Sequence, residues 1–135
     1  MIEVFCDGGS RNNPGHAAYG FVVKINGQIV KKDGQYIGVA TNNVAEYTAV
    51  VEALLWLKNH HKGEELNFNL DSNLVVSQLS GLFKVKNTDL RNYVAKIKRL
   101  ENSFKKINYK YIPREQNKEA DQLVNIALDK KLYGT

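Results

Sequence analysis

The feature that most constrains this chain is a change of hydrophobic period partway along it. Residues 2–6 (IEVFC) form a short β-rich run that stops at Asp7, and GGSRNNPG, at 8–15, is a dense turn signal. AAYGFVVKI, at 17–25, reads as a second strand; Asn26-Gly27 is a strong hairpin turn, and 28–37 returns as a third strand. From residue 43 the period lengthens. Val44, Tyr47, Val51, Leu54, Leu55 and Leu57 predict a largely buried helix over 43–60. Leu66, Phe68 and Leu70 alternate with Asn67 and Asn69 in a strand that ends at Asp71. Ser72 can cap a short helix over 73–80, closed by Gly81. Residues 88–103 read as a basic amphipathic helix with Leu90, Val94, Ile97 and Leu100 inward. Residues 105–112 alternate as a last strand, stopped by Pro113. Asn117 or a neighbour starts a final helix along Ala120, Leu123, Val124, Ala127 and Leu128. An antiparallel meander followed by crossover units implies an α/β fold: a mixed five-stranded sheet, antiparallel then parallel, flanked by helices.

The 135 residues suit one compact domain, 1–135, and the 43% of hydrophobic residues suffice for a single core. With 24% charged residues the chain does not read as disordered. No apolar run approaches the roughly 18 residues that span a bilayer, and MIEVFCDGG meets an Asp too early for a secretory signal. Cys6 is the only cysteine, so no internal disulfide can form; this fits a reducing, cytoplasmic setting, with Cys6 as a buried hydrophobe. The net charge of +5 favours an anionic partner, of which nucleic acid is the commonest.

Four acids stand out against this basic background. Asp7 follows the first strand and Asp71 the fourth, while Glu46 and Asp121 fall in the first turns of the long and last helices. Sites in open α/β sheets form beyond the carboxyl ends of strands, near the point where strand order reverses. With strands one and four as central neighbours, Asp7 and Asp71 end side by side, and the two helix starts bring Glu46 and Asp121 to the same edge. Clustered carboxylates repel and require a strong positive charge, and hard divalent cations prefer oxygen ligands. Two such ions about 4 Å apart activate a water and stabilise the leaving oxygen of a phosphodiester. Singly, each acid has a plainer role. Glu46 and Asp121 complement helix dipoles, Asp71 is a turn residue beside Ser72, and Asp7 shapes an Asx turn. Only the convergence of all four argues for metal.

DGGSRNNPG at 7–15 with Tyr19-Gly20, TNNVAEY at 41–47, LDSN at 70–73 and NKEADQLVN at 117–125 together resemble the type 1 ribonuclease H family, in order and spacing over nearly the whole chain. The glycine-rich stretch does not spell GxGxxG and leads into a strand, which argues against a dinucleotide fold. The resemblance implies the ribonuclease H-like fold and an endonuclease that cuts the RNA strand of RNA/DNA hybrids, leaving 5′-phosphate and 3′-hydroxyl ends. It implies that Asp7, Glu46, Asp71 and Asp121 bind two Mg²⁺ ions, or Mn²⁺ in their place, with Asp7 bridging them. It further implies that Gly8, Gly9, Ser10, Asn12, Asn42, Asn43 and Asn73 line the hybrid's minor groove and that Thr41 helps hold a phosphate of the DNA strand. Short amides and backbone groups suit 2′-hydroxyls in a wide, shallow groove. Turn-forming and capping roles weigh nearly as much for Asn12, Asn13 and Asn42.

Two departures from the family pattern carry consequences. Many members place a histidine between the last strand and the last helix, where this chain reads PREQNKEA. Arg114 is the nearest candidate to assist there, by helping product leave, but an arginine cannot act as a base. His16 lies elsewhere, and His60 and His61 read as exposed helix-end residues. The stretch after Gly81 (LFKVKNTDL) is also too short for the extra helix and basic loop of some members. Lys84, Lys86, Arg91, Lys98 and Arg99 then either supply a reduced basic surface or form a solvated helix face, and Phe83 is expected to pack in the core rather than on DNA sugars. The rival readings are a related nuclease acting on double-stranded RNA or branched DNA, a non-catalytic hybrid-binding module, and a scaffold protein. A binding module gains nothing from negative charge facing phosphate. No obligatory protein partner is evident, and a monomer is expected.

Overall fold

The computed structural model describes residues 1–134. The elements follow the order β1 (Ile2–Arg11), β2 (Gly15–Ile25), β3 (Gln28–Ala40), α1 (Asn42–His60), β4 (Glu65–Leu70), α2 (Asn73–Leu79), α3 (Thr88–Glu101), β5 (Lys106–Tyr111) and α4 (Lys118–Tyr133), with one 3-10 turn at Arg114–Gln116 before α4. The strands form a single sheet in the order β3-β2-β1-β4-β5. β1 pairs antiparallel with β2 and parallel with β4, and β4 pairs parallel with β5. The sequence expectation of a mixed five-stranded sheet with strands one and four adjacent therefore holds. Among the described residues no helix is long and apolar enough to cross a membrane.

Side-chain alternation splits the sheet into two faces. Val4, Cys6, Phe21 and Val23 point to the side where α1 packs, and with Tyr47, Leu54, Leu57, Phe68 and Ile97 they form the main core. Ala18 points to the other side, where Val124 and Leu128 of α4 cover it. α1 carries apolar residues all round because it is wedged between the sheet and α3, with eight of its residues buried. Tyr47 donates to Gln78 Oε1 and so fastens α1 to α2.

The first strand runs further than its composition suggests. GGSR was expected to turn, but Gly8, Gly9, Ser10 and Arg11 continue β1 by pairing with Tyr19, Ala18, Ala17 and His16. The turn is confined to 12–14, with Asn12 in the left-handed region at φ 70°. Asp7 therefore sits within β1, not after it. The parallel ladder to β4 stops one residue earlier, at the Cys6–Leu70 pair. Asp7 thus lies where β1 loses one neighbour and keeps the other, which opens a notch at the middle of the sheet. Gly8 permits α1 to cross there, since a Cβ on it would lie 2.2 Å from the Ala45 carbonyl carbon.

Two further expectations change. Phe83 is 57% exposed beside Leu82, not packed in the core, because the segment between α2 and α3 runs over the surface. Lys98 does not belong to a free basic face. Its ammonium donates to the Leu79 carbonyl at 2.6 Å and pairs with Glu101 at 3.1 Å, tying α3 to the end of α2.

Candidate active site

The notch beside Asp7 is the floor of a cavity of about 380 Å³ lined by Asp7, Glu46, Asp71 and Asp121 together with Gly8, Gly9, Ser10, Arg11, Asn42, Ser72 and Arg114. Each acid arrives from a different element. Asp7 comes from β1, Glu46 from α1 where it crosses Gly8, Asp71 from the residue after β4, and Asp121 from the first turn of α4. One expected position is corrected. α1 begins at Asn42 with Thr41 as its cap, and no acid lies in its first turn, so Glu46 belongs to the second. The helix dipole, which fades within the first turn, does not account for Glu46.

The carboxyl groups are half-buried and feel one another. Asp7 is pushed up to about 8, first by burial, then by the Asp71 charge and by its shared contact with Asp121. Glu46 is pushed up to about 7 by burial and by Asp71, against the opposing pull of the Ser72 hydroxyl and the Arg114 guanidinium. Burial also raises Asp71, countered by an Asn117 hydrogen bond and by Arg114. An all-oxygen set held at this cost is the chemistry of a hard divalent cation. Among the described residues no three His, Cys, Asp or Glu side chains stand together, as placed, so as to hold an ion by themselves. An open set is what Mg²⁺ accepts, because it keeps several waters and takes few carboxylates. The four acids fit such an ion.

The structure separates the other predicted site residues. Gly8, Gly9, Ser10 and Asn42 line the cavity; Asn12, Thr41, Asn43 and Asn73 do not. Asn42 Oδ1 accepts from the Ser10 amide at 2.8 Å and from its hydroxyl at 3.2 Å, and Asn13 Oδ1 accepts from the Asn42 amide at 3.0 Å. This ladder pins the tip of the β1–β2 hairpin to the start of α1. Thr41 caps α1 through Val44, and Ser72 caps α2 through Val75. Arg114, in the 3-10 turn, reaches the cavity and is the positive charge that Glu46 and Asp71 feel. Its loop position was legible; its closeness to two of the acids was not.

Asn117 was missed as a site residue. It reads as the cap of α4, yet it makes no side-chain capping bond. Its side chain instead turns inward and donates to the Cys6 carbonyl at 2.8 Å and to Asp71 at 3.1 Å. Its place at the head of the NKEADQLVN motif, four residues before Asp121, was the signal that could have pointed to it. Arg11 is the second cation of the cavity, held by Asp129 at 2.7 Å.

Residues 5–127 match the reverse transcriptase-like family. The ribonuclease H1 called LC11, solved in complex with an RNA/DNA hybrid, is 39% identical with a TM-score of 0.94, over 98% of this chain and 99% of that one. The ribonuclease H1 of the halophilic archaeon Halobacterium salinarum is 38% identical with a TM-score of 0.91, over 96% of this chain and 98% of that one. The bifunctional protein Rv2228c of Mycobacterium tuberculosis is 41% identical over 132 residues, 95% of this chain. The chain spans only 35% of that relative and 64% of the curated Halobacterium ribonuclease HI. The chain belongs to the type 1 ribonuclease H family.

Proposed function

We propose that this protein is a divalent-metal-dependent endonuclease that hydrolyses the RNA strand of RNA/DNA hybrids, leaving 5′-phosphate and 3′-hydroxyl ends. The observation that carries this reading is the meeting of Asp7, Glu46, Asp71 and Asp121, from four separate elements, in one solvent-open cavity. The solved complex of the similar LC11 enzyme with a hybrid supports the substrate class. Asp7, Glu46, Asp71 and Asp121, which line one cavity, would hold two Mg²⁺ ions, or Mn²⁺ in their place. When bound, such ions supply a nucleophilic water and neutralise the charge that develops on the phosphodiester.

The chain's own residues do the rest. The cavity wall formed by Gly9, Ser10 and Asn42 offers small polar groups to the 2′-hydroxyls that distinguish RNA from DNA. Asn12, Asn43, Asn73 and Thr41 extend this surface along the groove and to a phosphate of the DNA strand. Arg114, exposed and close to Glu46 and Asp71, attracts the phosphate and eases release of the product's new charge, without taking a proton. Exposed Phe83 meets DNA sugars, and Lys84 and Lys86 meet its backbone. The protein acts as a monomer in the cytoplasm, where buried Cys6 stays reduced.

The test is cleavage of an end-labelled hybrid with Mg²⁺, with wild type beside Asp7→Asn, and with double-stranded RNA, double-stranded DNA and single strands in parallel. Cutting confined to the RNA strand of the hybrid, slowed on the order of 1,000-fold in the variant, is expected. Equal cutting of double-stranded RNA would widen the substrate class. Binding without cutting, by folded protein with either metal, would replace the enzyme by a hybrid-binding module.

A further inference from the structure

Asn117 is 1% exposed and stands at the junction of the segments that carry three of the four acids. Its Nδ2 donates to the carbonyl of Cys6, the peptide group that leads directly into Asp7. The same Nδ2 donates to Asp71 Oδ2 at 3.1 Å. Its backbone carbonyl accepts from the Asp121 amide at 3.1 Å, so it also opens the first turn of α4. Its Oδ1 is buried with no hydrogen-bond partner. A buried amide with an orphaned oxygen is a poor way to fill space, since nothing in the protein offsets the desolvation of that oxygen. Helix capping does not explain it either, because the side chain makes no cap bond. What the residue does accomplish is to fix one oxygen of Asp71 and the main chain at Asp7 to a common donor, just past the last β1–β4 pair.

We propose that Asn117 is a positioning residue that sets the orientation of the Asp71 carboxylate relative to Asp7 for a shared divalent cation. The inference rests on the metal-dependent reading of the cavity given above. With one lone pair of Oδ2 engaged by Asn117, the remaining lone pairs of Asp71 are turned to the cavity. Outer partners of this kind typically change metal affinity or activity 10–100-fold when removed.

The experiment compares wild type with Asn117→Leu and Asn117→Ser, the second being smaller and able to keep one hydroxyl donor. Three readouts are taken: cooperative melting without metal, the melting-temperature rise and calorimetric affinity with Mn²⁺ and Mg²⁺, and kcat and KM on a hybrid. The expected result is a folded Asn117→Leu whose metal affinity and kcat each fall on the order of 10–100-fold, with KM for the hybrid within about twofold of wild type, and partial recovery in Asn117→Ser. Wild-type metal affinity and kcat in folded Asn117→Leu would overturn the proposal. So would failure of both variants to fold, which would assign Asn117 to the scaffold alone. If wild type itself neither binds metal nor cuts, the reading of the cavity fails, an outcome distinct from a metal-binding wild type with indifferent variants.

Discussion

Asp7 shows how much a single position can hold in tension. Burial and two neighbouring acids push its carboxyl up to about 8, and Glu46 up to about 7. In the unfolded chain both titrate in the ordinary range near pH 4. Raised carboxyl pKa values favour folding while the groups are protonated, so this contribution is complete below about pH 4 and is lost as pH rises through 7 to 8. Metal-free protein should therefore lose melting temperature across that window, and Asp7→Asn should flatten the loss and melt a few degrees higher near neutrality. Mg²⁺ requires the ionised carboxylates, so its stabilising increment should grow with pH over the same range. Calorimetric melting with and without Mg²⁺ checks both signs, and a metal-free melting curve insensitive to Asp7→Asn would refute the tension. The adjoining glycines divide by the space behind them. Gly8→Ala would drive a methyl into the Ala45 backbone and should cost about 3 kcal/mol in a denaturant titration. Gly9→Ala meets nothing nearer than 3.8 Å and should leave stability alone, so a rise in its KM would mark a contact with substrate.

At the scale of elements, the site depends on how closely α1 and α4 approach the sheet. α4 lies on β2 and β3 across two glycines. A Cβ on Gly20 would come within 2.6 Å of the Ala120 carbonyl, and one on Gly34 within 2.9 Å of the Leu123 carbonyl. Ala120 is next to Asp121, so any outward shift of this turn moves a candidate ligand. Gly20→Ala should lower kcat more than it raises KM, and a steady-state comparison with wild type decides it; equal effects on both would mean that α4 slides without disturbing Asp121. α2 couples stability to the site through one residue. Ser72 caps the helix by accepting from Val75, and its hydroxyl also favours the charged form of Glu46. Ser72→Ala should cost about 1 kcal/mol of stability and reduce activity as well, whereas a loss of stability alone would confine Ser72 to capping.

Over the whole molecule, the charge pattern separates roles that composition merges. The net charge is +5, yet four acids share one cavity. Cations around the remaining surface can draw a nucleic acid in, while bound metal would cancel the repulsion at the cavity itself. Not every lysine or arginine is free for this. Lys98 ties α3 to α2, Arg91 donates to the Lys86 carbonyl at 2.8 Å, and Arg11 pairs with Asp129. Lys84 and Lys86 are exposed beside Leu82 and Phe83. Replacing both by Ala should reduce the slope of log affinity for a hybrid against log salt by up to about 2, leaving the melting temperature unchanged. An unaltered slope would mean that this segment does not meet the backbone.

Local pattern determined the elements, because the periods of 2 and 3.6, the Asn26-Gly27 turn and the Ser72 cap are all short-range signals. The motifs likewise determined the family, since their order survives along the chain. Tertiary structure decided where those elements stop and what their side chains meet. GGSR looks like a turn in isolation and becomes strand because β2 supplies a pairing partner. Glu46 looks like a dipole partner until the start of α1 at Asn42 places it in the second turn. Phe83 looks like core because apolarity alone does not say which surface a connection crosses. Asn117 looks like a cap, and only the arrival of β1 and β4 beside it, 111 and 46 residues earlier in the chain, shows the two bonds its amide makes. The acids themselves were legible as residues. Their meeting was not, because a cavity assembled from four elements is a property of packing, and no local spacing encodes the distance between residues that far apart.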